Sequence, residues 1–215
     1  MSKTILVTQP SYDYTTRYIS SWAEKVILYA QNKNNKVIAL KNDRANKDTL
    51  RSVVIKTNPS FIFFNGHGDD NVVTGQDSKP LISSIDDIQF IKNKIIYSLS
   101  CRSAKKLGPY CVKNGIKTYI GYTEDFVFTY DRLNRTHPHQ DKVAGLFLDP
   151  SNVIPFSLLK GKTTDESYKD SQKAFRKSIR NLLTSESTIP QSSTIRFLIW
   201  DMQHQVCLGS PDACI

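Results

Sequence analysis

The chain has little cysteine, and none of it is spaced for metal or redox work. Among 215 residues there are four cysteines, Cys101, Cys111, Cys207 and Cys214, and no two form a C-x-x-C pair. That spacing argues against zinc and thioredoxin-type sites. No apolar run approaches the roughly 18 residues of a membrane span, so no membrane partner is expected. No Gly-rich phosphate loop is present: Gly66-His67-Gly68 lacks the lysine and the following helix pattern. No internal repeat is visible. The opening Met1-Ser2-Lys3-Thr4-Ile5-Leu6-Val7 has one basic residue and a short apolar run, too little for a secretory signal. A cytoplasmic location is therefore expected. In a reducing cytoplasm a disulfide framework is not. Cys111 reads as a small core residue of a helix, and Cys207 and Cys214 as free thiols.

Acidic charge is also short, leaving a formal net charge of +9. The basic residues are scattered, no nucleic-acid motif accompanies them, and the one dense stretch, Lys169 to Arg180, reads as the wet face of a helix. A lysine-rich soluble surface accounts for this, and nucleic acid is not an expected partner. With 39% hydrophobic and 23% charged residues, the chain has an ordinary globular composition and can build one substantial core.

What is there alternates strand and helix. Thr4 to Thr8 is a continuous, β-branched run that predicts a buried strand. From Asp13 to Asn32, Tyr18, Ile19, Trp22, Val26, Ile27 and Ala30 recur at helical spacing, with Asp13 as cap. Lys36 to Leu40 predicts a second strand, and 46–57 a second helix stopped by Asn58-Pro59. Strands over 61–66 and 94–100 follow, with a short helix near Asp86 to Ile91 between them. A helix over 104–114 closed by Gly115 and a strand over 117–122 come next. Strands joined by short helices predict a parallel sheet with right-handed crossovers. From Glu124 to about Gln140 the pattern becomes a polar, aromatic loop. Helices follow, the clearest over 164–183, then a Ser/Thr/Pro linker over 186–193 and a last strand at Thr194 to Trp200.

Two of these strands end in reactive side chains. Phe61-Ile62-Phe63-Phe64-Asn65-Gly66 runs into His67-Gly68, and Ile95-Ile96-Tyr97-Ser98-Leu99-Ser100 into Cys101. The carboxyl ends of parallel strands meet in the crevice where open α/β sheets bind ligands. A histidine there can serve as base to a cysteine nucleophile. Gly68 leaves bare backbone whose N–H can approach a substrate oxygen. A helix starting near Arg102-Ser103-Ala104 would favour thiolate at Cys101, and the small Ser100, Ser103 and Ala104 would leave room for substrate.

These segments, with Leu107-Gly108 and Gly115-Ile116-Lys117-Thr118-Tyr119-Ile120-Gly121-Tyr122 beyond them, resemble the caspase-like cysteine peptidases, in pattern most like CHAT and separase sequences. The resemblance covers roughly residues 4 to 125. It implies an α/β three-layer sandwich, with a mostly parallel sheet of about six strands flanked by helices. Residues 1–215 would then form a single peptidase domain with a loop and helical insertion over 124–190. It further implies an endopeptidase acting on a protein substrate without a cofactor. Cys101 would be the nucleophile, His67 the general base and acid, and the N–H groups of Gly68 and Cys101 the oxyanion hole. Leu99 stands where caspases carry Gln and metacaspases Asp to read the substrate's P1 side chain, so aspartate specificity is unsupported. Neither the caspase pentapeptide nor an obvious activation linker is present. Glu124 and Asp125, after the following strand, would read a basic P1 residue instead. A free-standing peptidase needs restraint, from a regulatory or activating partner, a self-blocking loop or the context a substrate supplies. Bacterial members of the superfamily often serve defence pathways.

Other readings stay open. A catalytically silent caspase-like interaction module fits the same fold, although both His67 and Cys101 are retained. A flavodoxin-like domain is disfavoured by the missing phosphate loop. His137-Pro138-His139 with Asp141 invites a metal, but no fourth ligand is in sequence reach and no metal site is expected. His204 has no evident partner.

Overall fold

In the computed structural model, residues 2–183 and 191–215 are described, with 191–193 through their backbone only. Most of the linker read over 186–193 thus lies outside the described residues.

The predicted alternation is present. Strand β1 (Thr4–Gln9) leads to helix α1 (Tyr14–Asn32), β2 (Lys36–Lys41), α2 (Lys47–Thr57) and β3 (Phe61–Asn65). A hairpin, β4 (Val72–Thr74) with β5 (Pro80–Ser83), intervenes before β6 (Ile95–Leu99), α3 (Leu107–Lys113) and β7 (Thr118–Tyr122). Helices α4 (Lys142–Leu159), α5 (Thr164–Leu182) and α6 (Gln191–His204) then precede β8 (Gln205–Gly209). The main sheet has six strands in the order β2-β1-β3-β6-β7-β8, all pairs parallel except β7 with β8.

The central strands are mainly apolar because both faces are covered. Ile5, Val7, Phe61, Phe63, Tyr97, Leu99, Ile120 and Tyr122 face Tyr18, Trp22 and Val26 of α1 and Leu148 and Leu158 of α4. The alternate residues Leu6, Ile62, Phe64, Ile96 and Tyr119 face Leu50 and Val54 of α2, Leu107 and Cys111 of α3, and the β4–β5 hairpin. The result is the three-layer sandwich expected of the sequence.

Three local expectations are corrected. The short helix read near Asp86 to Ile91 is only a 3₁₀ turn at Gln89–Ile91. The helix read from Ala104 begins at Leu107, because the chain first turns through Arg102, whose φ of 51° is left-handed. The last strand is not at Thr194 to Trp200, which belongs to α6. Thr194, Leu198 and Asp201 are buried at helical intervals while Ile199 and Trp200 are exposed. A short apolar run does not distinguish strand from helix, and here the period continues through polar residues. The terminal strand is β8, one element later.

Candidate active site

Adjacent β3 and β6 carry His67 and Cys101 to the same edge of the sheet. Their parallel register pairs Phe63 with Tyr97 and Asn65 with Leu99, and continuing it two residues further sets His67 opposite Cys101. Both are in phase with the strand residues that face α1 and α4. The segments touch: a Cβ added to Gly68 would lie 2.7 Å from the Cys101 carbonyl oxygen and 3.0 Å from the Ser100 Cβ. Glycine at 68 is thus required by close approach of backbone to backbone. Around it, Thr74 N–H donates to the His67 carbonyl (2.9 Å) and Asp69 N–H to the Val72 carbonyl (3.0 Å). Gly68 faces Val73 between these two bonds, so its own N–H points out of the hairpin.

The half-exposed His67 ring is held by a residue that sequence reasoning took only for a helix cap. His67 Nε2 lies 2.6 Å from Asp13 Oδ2. Asp13 Oδ1 meanwhile accepts from Thr16 N–H and Thr16 Oγ1, both at 2.7 Å, closing the N-terminus of α1. Burial would raise the Asp13 carboxyl, but Thr16 and His67 outweigh it and hold it below its usual value. The sign in the sequence was position: Asp13 lies just beyond the carboxyl end of β1, the neighbour of β3.

Cys101 is partly buried, and its thiol donates a long bond to the Phe126 carbonyl (3.8 Å). Burial pushes that thiol up to about 11; the Phe126 backbone and Arg102 oppose the rise, while Asp125 and Asp201 add to it. The expected support from a helix N-terminus is therefore absent at Cys101, since α3 starts six residues later. Ser100, Ser103 and Ala104 are buried rather than opened to substrate. The Ser100 hydroxyl lies 2.7 Å from that of Ser98 and donates to Ser103 (2.8 Å), fixing the turn.

The residues expected to read P1 sit differently. Leu99 is only 1% exposed and belongs to the core, so it presents nothing to a ligand. Glu124 lies at the sheet edge, 3.2 Å from Lys105, and Asp125 pairs with Arg102 at 3.0 Å. Both carboxylates already have cations of the chain's own. Asp141 is likewise committed: it caps α4 through Val143 and Ala144 N–H and accepts from Tyr18 and the Asp131 N–H. That leaves it no role beside His137 and His139. His204 Nδ1 lies 2.8 Å from the Trp200 carbonyl.

Sequence reasoning missed a second carboxylate, Asp201. It is 0% exposed and accepts from Val127 N–H (2.9 Å). Burial holds its carboxyl well above the usual range. It lies one residue past the run read as a strand, Thr194 to Trp200, and that reading hid the helical period that buries it.

No protein-family model matches the sequence, and no curated protein does. Solved structures do. In the complex of Porphyromonas gingivalis RgpB pro- and mature domains, the match covers 99% of this chain and 48% of that one, with a TM-score of 0.63 at 8% identity. For the Arg-specific cysteine proteinase gingipain R, it covers 99% and 47%, with a TM-score of 0.59 at 9% identity. For the Saccharomyces cerevisiae separase–securin complex, it covers 98% and 12%, with a TM-score of 0.50 at 12% identity. The fold is the caspase-like one, and the chain spans about half the length of the gingipain chains it matches.

Proposed function

We propose that this caspase-like fold carries a cysteine endopeptidase with Cys101 as nucleophile and His67 as base. The observation that supports the reading is that β3 and β6 are adjacent and parallel, ending in register at Asn65 and Leu99, with His67 and Cys101 each two residues further on. Asp13 holds Nε2, which fixes the ring and leaves Nδ1 as the nitrogen to take the thiol proton. The thiolate attacks the scissile carbonyl carbon, and the oxygen that gains charge is met by the Gly68 and Cys101 N–H groups. The imidazolium returns its proton to the leaving amine, giving a thioester. Water, deprotonated by the same nitrogen, then releases the acid and restores the thiol.

On this reading the arrangement is a resting form. With the thiol on the Phe126 carbonyl and the imidazole on Asp13, attack requires the loop after β7 to shift. The gingipain and separase structures record those proteins with a pro-domain and with securin. Restraint by a partner fits this chain as well, and a defence or regulatory role fits such restraint. A basic P1 side chain remains the substrate preference we favour, because two carboxyls, Asp125 and Asp201, act on the thiol against one cation, Arg102. Glu124 and Asp125 can serve it only by giving up Lys105 and Arg102. Among the described residues no helix is long and apolar enough to cross a membrane, and we retain a cytoplasmic setting.

The resting thiol equally favours a silent interaction module. Peptide-library cleavage by the wild type beside Cys101→Ala, with a peptidyl chloromethyl ketone as trap, decides between them. Covalent labelling of Cys101 and cleavage lost in Cys101→Ala are expected. A folded wild type that neither cleaves nor labels is the module.

A further inference from the structure

On the β1 side of His67 the molecule carries a second, basic pocket. It has a volume of about 490 Å³ and lies between α1 and the carboxyl ends of β1 and β2. Three consecutive residues join it to the candidate site. Ser11 lines the pocket, Tyr12 stands edge-on to the His67 ring with 6.1 Å between centroids, and Asp13 holds Nε2. Val7 pairs with Phe63, so Ser11 and His67 each lie four residues beyond paired positions.

Charge in the pocket is uneven. Arg17, Lys25 and Lys41 line it, and Glu24 is the only carboxylate among the described residues that do. Glu24 is already engaged: its Oε2 accepts from Gln9 Nε2 (3.0 Å) and Lys41 (3.4 Å). Lys25 lies 3.6 Å from Asp149, outside the pocket. Arg17 pairs with no carboxylate among the described residues, and its guanidinium lies 5.8 Å from the Tyr14 ring centroid. One turn further on, Ser21 shares that face of α1. Neither its hydroxyl nor that of Ser11 is bonded among the described residues. A guanidinium without a partner, with unused hydroxyls beside it, suits a carboxylate.

The pocket is open, with Arg17, Leu28 and Lys41 exposed at its rim. A small ligand binds where most of its surface is buried. An open pocket suits instead a side chain carried on a longer segment, to which the half-exposed Leu28 offers apolar contact. The proposed chemistry gives that segment a direction. His67 returns its proton to the leaving amine, so the chain beyond the scissile bond departs on the His67 side and the acyl part lies on the Cys101 side. In the sheet order β2-β1-β3-β6-β7, β1 and β2 lie beyond His67, away from β7. Strands are about 4.8 Å apart and an extended chain advances about 3.3 Å per residue, so the pocket is two or three residues from the bond cleaved.

We propose that this pocket binds an acidic side chain, Asp or Glu, of a protein partner, with Arg17 as its reader, and that in the peptidase this is the second or third residue after the scissile bond. The placement rests on the proposed peptidase; the acidic-peptide site does not.

Two readouts test this. Heteronuclear NMR of the Cys101→Ala protein follows the Arg17 Nε–H and the Ser11 and Ser21 amides as acetyl-Gly-Ala-Glu-Ala-Gly-amide is added, beside its Gln counterpart. The Glu peptide is expected to shift these resonances and to bind roughly three- to tenfold more tightly, the scale of one charged hydrogen bond at a half-exposed site. Adding Arg17→Glu, a change that suits the start of a helix, should abolish that preference. For cleavage, the best library peptide is remade with Glu, Gln or Lys at each position after the scissile bond. The wild type is expected to favour Glu over Gln by roughly three- to tenfold in kcat/KM at the second or third position. Arg17→Glu should favour Lys there and cleave the Gln peptide like the wild type. Equal binding of the Glu and Gln peptides overturns the site. So does inorganic phosphate that reproduces the shifts at the same concentration, which would make it a small-anion pocket. A Glu effect confined to positions before the scissile bond overturns the placement. A protein that cleaves nothing, yet loses its binding preference for Glu in Arg17→Glu, would sink the peptidase reading and leave the acidic-peptide site standing.

Discussion

Asp13 carries two duties on its two oxygens, and substitution can separate them. Asparagine is as good a helix cap as aspartate, whereas alanine gives up about 1 kcal/mol. Asp13→Asn should therefore keep near-wild-type stability at neutral pH and lose peptide cleavage, by roughly 10- to 100-fold, because the imidazole loses its anionic support. Asp13→Ala should lose both. Thermal melts beside cleavage rates check this, and equal melting losses in the two variants would assign Asp13 to the helix alone. The carboxyl lies below its usual value in the folded state, so the stability it adds is present above the ordinary carboxylate pKa of about 4 and is lost as pH falls below it. The melting temperature of the wild type should fall relative to that of Asp13→Asn in that window. His67→Ala and Cys101→Ala should each abolish turnover, and the double variant should be no worse, since the pair acts as one unit. His67 and Cys101 were legible because each ends a strand. Asp13 was read only as a cap, because its position past the end of β1 points to His67, 54 positions away, only once β1 is known to lie beside β3.

Among elements, β1, β3, β6 and β7 were legible because burial on both faces makes them short, mainly apolar runs. Helix α6 was not, since its buried stripe is mostly polar: Thr194 and Asp201 lie either side of Leu198, and Asp201 Oδ1 accepts from Val127 N–H. Such partners come from distant segments. The helical assignment separates two neighbours. Leu198→Ala should destabilise by about 2–5 kcal/mol and Ile199→Ala by less than about 1 kcal/mol, measured by denaturant unfolding. A strand would bury Ile199 with Phe197 and reverse the order. The hairpin gives a second prediction at this scale. A methyl at Gly68 meets the Cys101 carbonyl, which is backbone and cannot swing aside. Gly68→Ala should therefore reduce both stability and thiol trapping. A wild-type labelling rate in Gly68→Ala would show that the β3 and β6 ends can part without consequence for the site.

For the whole molecule, burial of thiols sets the alkaline limit. Burial pushes Cys101 and Cys207 up to about 11 and Cys111 up to about 12. An unfolded thiol titrates near 8.5. Above that pH the unfolded chain releases these protons first, so stability is full below about 8.5 and falls as pH climbs through about 12. Melting temperature should decline across this range, and Cys111→Ala should flatten the decline while lowering the neutral-pH value. A level melting profile from pH 8.5 to 11 would contradict the burial of these groups.

The sheet's one antiparallel pair bears on how the chain is made. Thr118–Tyr122 and Gln205–Gly209 are partners separated by three helices. During synthesis β7 can dock on β6 long before β8 leaves the ribosome, and in that interval it presents an unpaired, apolar edge. Such an edge invites pairing with another nascent chain. The final strand acts as a cap against aggregation, delivered late. A chain stopped after His204 should accumulate in the insoluble fraction even though every residue of the candidate site has been made.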